Sequence, residues 1–228
     1  MEYRDFQFPE KEEVNKYYPQ YYHKMDKVCR YSRNVRMLID NARQQEGRPL
    51  YIEVLGKIDV AKLYGVTSED RLLKRLVLEY ERSLTERLPA ASAAVGHPVE
   101  TFCTILDLNN VSLKAFYQVK NYVSTASGIG QNYYPETMGK FYIINAPYLF
   151  STVWTFIKPW LDEVTVKKIQ IMSSGHKAVL TAQIDADSLP SEFGGNCKCP
   201  GGCSLSDEGP WKHQGAASTS AGAETANA

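Results

Sequence analysis

Three short runs of strand type, separated by stretches with helical periodicity, set the strongest limit on how this chain can fold. LYIEVLG at residues 50–56, TFCTILDL at 101–108 and GKFYIINA at 139–146 are rich in β-branched and aromatic residues, and each is bounded by turn formers. Between the first two, Thr67, Ser68, Glu69 and Asp70 supply a helix start. Leu72, Leu73, Leu76, Val77, Tyr80 and Leu84 then fall at helical spacing before Pro89. A second helical stretch runs from 113 to about 127, and DEVTVKKIQIM suggests a short helix entering a fourth strand near 168–172. Strands that alternate with helices pair in parallel through crossover connections, so the expected class is α/β with a mainly parallel sheet.

Phe150, Val153, Trp154, Ile157, Trp160 and Leu161 recur at the spacing of one helix face. Pro159 disfavours helical geometry at Lys158, so this helix is expected to bend or break near its end. Its aromatic content exceeds what a short crossover helix needs. Periodicity alone assigns it to the core, whereas tryptophan also favours boundaries between apolar and wet surroundings.

Composition removes several functions. Lys and Arg number 26, as do Asp and Glu, giving zero formal net charge; a nucleic-acid partner, which leans on basic excess, is not expected. No uninterrupted apolar run approaches the roughly 20 residues of a membrane-spanning helix. The opening MEYRDFQFPEKEE lacks the apolar segment of a secretory signal, so a cytoplasmic location is expected. There is no GxSxG elbow, P-loop, HExxH, or GxGxxG after a strand. The four histidines, His23, His97, His176 and His213, share no pattern, and no enzyme activity is expected.

Cys103 lies in the second strand and fits a buried free thiol. Cys197, Cys199 and Cys203 crowd into NCKCPGGC. Tetrahedral zinc wants four ligands, usually as paired CxxC; here only His213 is a local fourth candidate, so the segment is expected to be a flexible loop with no metal.

The segment QNYYPETMGKFYIINAPYLFSTVWTFIKPWLDEVTVKKI, with YYPQYYHK, VTSED, EYERSLTERLPA, GHPVETFCTILDL and SDEGPW in the same order, resembles the CRAL-TRIO lipid-binding domain. More narrowly it is similar to the fungal phosphatidylinositol/phosphatidylcholine transfer proteins of the Sec-fourteen type. The resemblance implies a sheet as the floor of a lipid pocket and a movable gating helix at 150–161 as its lid. It implies a bound phospholipid in place of a cofactor. It also places Asp26, Glu136, Thr165 and Lys168 at the headgroup of phosphatidylinositol, and Tyr22, Tyr51, Tyr80 and Thr104 at that of phosphatidylcholine. An ammonium point charge suits phosphate, and tyrosine rings can cage a quaternary ammonium. Phe102 departs from the serine of close relatives, which puts the choline ligand in doubt; Thr137 and Gly130 replace an arginine and a serine.

Relative to the family, YYHKMDK and EGRPLYIE are separated by an extra block at 28–45. It is either a retained intron translated in frame, since a valine codon can begin with GT and glutamine can be CAG, or a basic amphipathic helix suited to an anionic membrane. The seamless junction that its removal would leave favours the intron. Residues 1–27 then begin the lipid domain, without the helical region that normally precedes it; 46–211 complete it, and 212–228 form a disordered tail. The expected function is exchange of phosphatidylinositol, with phosphatidylcholine a candidate second ligand, by a monomer that visits Golgi or endosomal membranes. Such exchange would support phosphoinositide synthesis by a lipid kinase, and secretion. The alternative is a non-exchanging lipid sensor that controls a protein partner.

Overall fold

In the computed structural model, which describes residues 6–27 and 47–212, the period-two alternation of the strands sorts side chains onto two differently covered faces. The elements in chain order are α1 (Lys11–Tyr17), β1 (Gln20–Met25), β2 (Pro49–Val54), α2 (Val60–Val66), α3 (Glu69–Arg82) and α4 (Leu88–Val95). There follow β3 (Phe102–Asp107), α5 (Leu113–Tyr133), β4 (Met138–Ile144), α6 (Phe150–Ile157), α7 (Glu163–Lys168), β5 (Ile169–Ile171), α8 (His176–Gln183) and the single turn α9 (Cys203–Ser206). The sheet order is β1-β2-β3-β4-β5. The β2–β3, β3–β4 and β4–β5 pairs are parallel and β1 is antiparallel to β2, so the α/β class and mainly parallel sheet hold.

Leu50, Ile52 and Val54 of β2, Cys103 and Ile105 of β3, and Tyr142 and Ile144 of β4 point to one face. They pack there against Leu180 and Ile184 of α8 and its end, with Leu189 and Phe193 beyond. This half of the core is closely packed, and burial pushes the Cys103 thiol well above its ordinary value. The alternate residues, among them Tyr51, Thr104 and Phe141, face the layer of α1–α3, α5 and α6 and line a cavity.

The helices start where the sequence supplies caps. Ser68 accepts from the Arg71 N–H at 3.4 Å, Ser112 from Ala115 at 3.1 Å, and Asp162 from Thr165 at 2.8 Å; each such cap contributes about 1 kcal/mol. Three ends differ from expectation. The helix after Ser68 does not stop before Pro89: a π-helical segment, Ser83–Arg87, widens the coil and carries it into α4 with the proline in the first turn. The next helix runs on to Tyr133, because its face toward the cavity continues past Ser127. Lys158 keeps helical dihedrals (φ −50°, ψ −40°); the chain tightens into a 3-10 turn, Lys158–Trp160, and breaks at Leu161.

The expectations for 28–45 lie outside the described residues, and so does the tail beyond Lys212. The flanks of the extra block meet, with the Gly47 N–H 3.4 Å from the Lys27 carbonyl. The segment after Gly195 is no flexible appendage: the Cys197 N–H bonds to the Leu189 carbonyl at 3.1 Å, and Trp211 packs on Tyr22 with ring centroids 6.5 Å apart.

At the end of β2 a Cβ on Gly56 would lie 1.5 Å from the Asn109 carbonyl oxygen. Gly56→Ala is therefore expected to lower stability by about 1–3 kcal/mol through forced backbone movement, read as a lower midpoint in denaturant with unchanged slope. Beneath the same sheet Asp26 is buried between the Arg48 N–H (2.7 Å), the Arg48 guanidinium (3.3 Å) and the Gln183 amide (2.8 Å). Burial outweighs Arg48 and pushes its carboxyl up to about 6. With the folded pKa above the unfolded one, the native state holds the extra proton. Stability from this group is full below about 4 and lost as pH rises through about 6. Melts from pH 4 to 7 should show that decline in the wild type and a shallower one in Asp26→Asn.

Candidate functional site

Between the sheet and the helical layer lies a cavity of about 940 Å³, at the upper end of the roughly 300–1,000 Å³ range of small-molecule sites. Its floor is the second face of the sheet. One wall is a stripe of α5, where Ala115, Val119, Tyr122, Ala126 and Gly130 recur at helical spacing. Its roof is α6: Phe150, Val153, Trp154 and Ile157 face inward, with Leu161 just beyond. Phe150 and Val153 are buried, and they pack on Leu108 and Ile143 of the floor side.

Two polar regions interrupt this apolar lining. Where the cavity reaches solvent, the Lys168 ammonium lies 3.2 Å from the Glu136 carboxylate. The Glu136 side chain is 81% exposed and that of Lys168 25%. Lys168 ends α7 beside the edge strand β5, and Glu136 sits in the turn before β4 with φ +63°, a conformation uncommon outside glycine and asparagine. Thr165 lies on α7 one turn before Lys168, and its hydroxyl donates to Asp162 at 2.5 Å. The second region is internal. Tyr18 donates to Glu53, and burial raises the Glu53 carboxyl above its usual range.

At the far end of the floor the tyrosines gather. The Tyr22 and Tyr51 ring centroids are 5.1 Å apart, and Phe102 meets Tyr22 edge-on at 5.8 Å. The Arg87 guanidinium already sits 4.0 Å from the Tyr22 ring centroid, and the Ser83 hydroxyl is 2.8 Å from the Tyr22 hydroxyl. Thr104 pairs in register with Tyr51 on the same face. Tyr80 stacks on Tyr134 at 4.3 Å from the opposite wall.

The structure thus brings Glu136, Thr165 and Lys168 together, and Tyr22, Tyr51, Thr104 and Phe102 together, all around one cavity that Tyr80 also lines. Two expected residues fall elsewhere. Asp26 points to the other side of the sheet, where its carboxylate is taken up by Arg48 and Gln183. Trp160 follows the 3-10 turn away from the lining, and its carbonyl accepts from Gln131 Nε2 at 2.5 Å. Sequence reasoning missed Tyr18, Glu53, Tyr122 and Gln131, which become neighbours only when α1, β2 and α5 pack. It also missed the exposed apolar residues at the roof: Tyr148, Leu149 and Phe156 are 94%, 51% and 55% exposed, and Leu149 also lines the cavity. No described helix is long and apolar enough to cross a membrane.

Comparison with known proteins agrees with this geometry. A family model described as "CRAL/TRIO domain" matches residues 35–195. Among curated proteins, the Sec14 cytosolic factor of Schizosaccharomyces pombe is 49% identical over 211 residues, covering 92% of this chain and 68% of that protein. The SEC14 cytosolic factor of Yarrowia lipolytica is 50% identical, covering 91% and 39%. The phosphatidylinositol/phosphatidylcholine transfer protein SFH4 of Arabidopsis thaliana is 40% identical, covering 91% and 32%. The chain therefore spans from about a third to about two thirds of the length of these relatives. A crystal structure of Sfh5 shares the fold with a TM-score of 0.56 at 20% identity, covering 87% of this chain and 59% of that one. Sheet, roof helix, cavity and sequence agree: the chain belongs to the CRAL/TRIO domain family.

Proposed function

We propose that this protein takes a single phospholipid out of one membrane and delivers it to another, with phosphatidylinositol as its first ligand and phosphatidylcholine as its second. The observation that carries the reading is the apolar cavity of about 940 Å³ under a one-helix roof, with the Lys168–Glu136 pair at its solvent edge. Each acyl methylene exposed to water costs about 0.8 kcal/mol, so a diacyl lipid does not cross water readily unaided. A dry hollow removes most of that cost. At the rim, Lys168 offers its charge to the phosphate, Glu136 accepts from inositol hydroxyls, and Thr165 lies one turn away for a phosphate oxygen. No bond is made or broken in the lipid.

The exposed Tyr148, Leu149 and Phe156 suit the roof to a bilayer surface, where aromatic side chains lie at headgroup level. Helix α6 would then cover the acyl chains when closed and touch the membrane when open. The relatives' names support the ligand pair: the Arabidopsis protein is called a phosphatidylinositol/phosphatidylcholine transfer protein. By the same likeness, exchange would supply phosphoinositide synthesis by a lipid kinase and support secretion from the Golgi. The protein is proposed to act as a monomer.

Transfer of labelled lipid between vesicles tests the reading, because a carrier accelerates it, whereas a sensor binds lipid without doing so. Lys168→Ala should reduce phosphatidylinositol transfer about tenfold, the loss of one charge-assisted bond, and leave phosphatidylcholine transfer within about twofold. Equal loss of both would mean general unfolding, and loss of neither would mean a ligand held by its tails alone. Phe102→Ser opens the tyrosine end and restores a hydroxyl there. Phosphatidylcholine captured by the purified protein, read by native mass spectrometry, should rise several-fold relative to phosphatidylinositol, at a stability cost of about 3 kcal/mol.

A further inference from the structure

On the filled side of the sheet, away from the lipid cavity, His23 of β1 meets the three cysteines of the segment after Gly195. One ligand atom from each of His23, Cys197, Cys199 and Cys203 lies within 4.8 Å of every other. We propose that these four residues bind one zinc ion as a closed structural site.

The geometry carries the proposal. A zinc–sulfur bond of about 2.3 Å in a tetrahedron places two sulfurs about 3.8 Å apart; Cys197 Sγ and Cys199 Sγ are 3.7 Å apart. His23 is fully buried, and its Nε2 is buried without a hydrogen-bond partner. Its Nδ1 lies 3.3 Å from Ser206 Oγ, whose own proton goes to the Cys203 carbonyl at 2.9 Å. Ser206 therefore accepts from Nδ1–H, and the lone pair is left on Nε2. That is the arrangement of a ligating histidine, one nitrogen oriented by a neighbour and the other free for the metal. Among the described residues the buried nitrogen has no other use.

The segment is also built to bring the thiols back on themselves. A Cβ on Gly195 would lie 1.9 Å from the Leu189 carbonyl, and Cys197 bridges to Pro190 in parallel register. Gly201 and Gly202 take φ of +75° and +96°, a path that only glycine follows freely, and the turn returns Cys203 beside the Cys197 carbonyl at 3.6 Å. Three soft thiolates and one imidazole in a tetrahedral set select zinc over the oxygen-loving cations. Four protein ligands leave no open position, so the ion would tie β1 to the C-terminal segment and take no part in chemistry.

The test uses the full chain, purified under reducing conditions from cells grown with zinc, and reads metal content by elemental mass spectrometry. The expected result is one zinc per chain that survives dialysis. Refolding with Co²⁺ alone should give thiolate-to-cobalt charge-transfer absorption and the visible bands of a tetrahedral ion. Cys199→Ser, at a half-exposed ligand, should lower zinc affinity at least tenfold. Zinc below a tenth of an equivalent in folded wild type, with no charge-transfer band on adding cobalt, would overturn the proposal. A disulfide between two of the three cysteines in that reduced protein, or a Cys199→Ser variant that holds zinc as tightly as wild type, would also overturn it. Should that variant not fold, the wild-type stoichiometry and cobalt spectrum decide.

Discussion

Everything in this molecule depends on one sheet whose two apolar faces are covered unequally. The side that carries Leu50, Ile52, Ile105 and Ile144 is closed by α8. The side that carries Tyr51, Thr104 and Phe141 is roofed at a distance, and about 940 Å³ is left between. At about 24 cal/mol per Å³, a dry void of that size would cost on the order of 20 kcal/mol. That exceeds the roughly 5–15 kcal/mol by which a whole domain is stable. The hollow therefore does not persist as dry empty space: water or an apolar occupant fills it.

The roof follows from the same imbalance. Helix α6 buries Phe150 and Val153 inward, while Phe156 stands exposed among Ser151, Thr152 and Thr155 on the outer side, with Leu149 exposed at its start. It is held at its far end by few polar ties, chiefly Gln131, which reaches the Trp160 carbonyl and accepts from the Asp162 N–H at 3.1 Å.

Much of this was legible in the residues themselves, and what was not has physical reasons. The strands around Ile52, Ile105 and Ile143 were legible because alternation and turn formers are local signals. The start of α3 at Ser68 was legible as a cap. The α6 face was visible from its spacing. Strand β1 was not, because QYYHKM mixes polar and aromatic residues and is held by pairing with β2. The residues proposed to hold the headgroup stood out only through resemblance, since Glu136 and Lys168 alone read as ordinary surface charges. Asp26 was misplaced because nothing local says on which side of the sheet its carboxylate points. Packing turns it toward Arg48, opposite the cavity.

His23 shows the same limit most sharply. In sequence it is one of four scattered histidines, and the local candidate for a fourth ligand is His213. The partner that matters comes from the other end of the chain, brought in by strand pairing. Within β1, Tyr22 faces the cavity and His23 the opposite side, so whatever fixes the imidazole beneath the strand also fixes the tyrosine ring above it. An ion held by His23 and the three thiols would clamp this edge strand and hold Tyr22 against Tyr51 and Phe102. The two sites would then share one piece of backbone, with no wire between them beyond the alternation of a single strand.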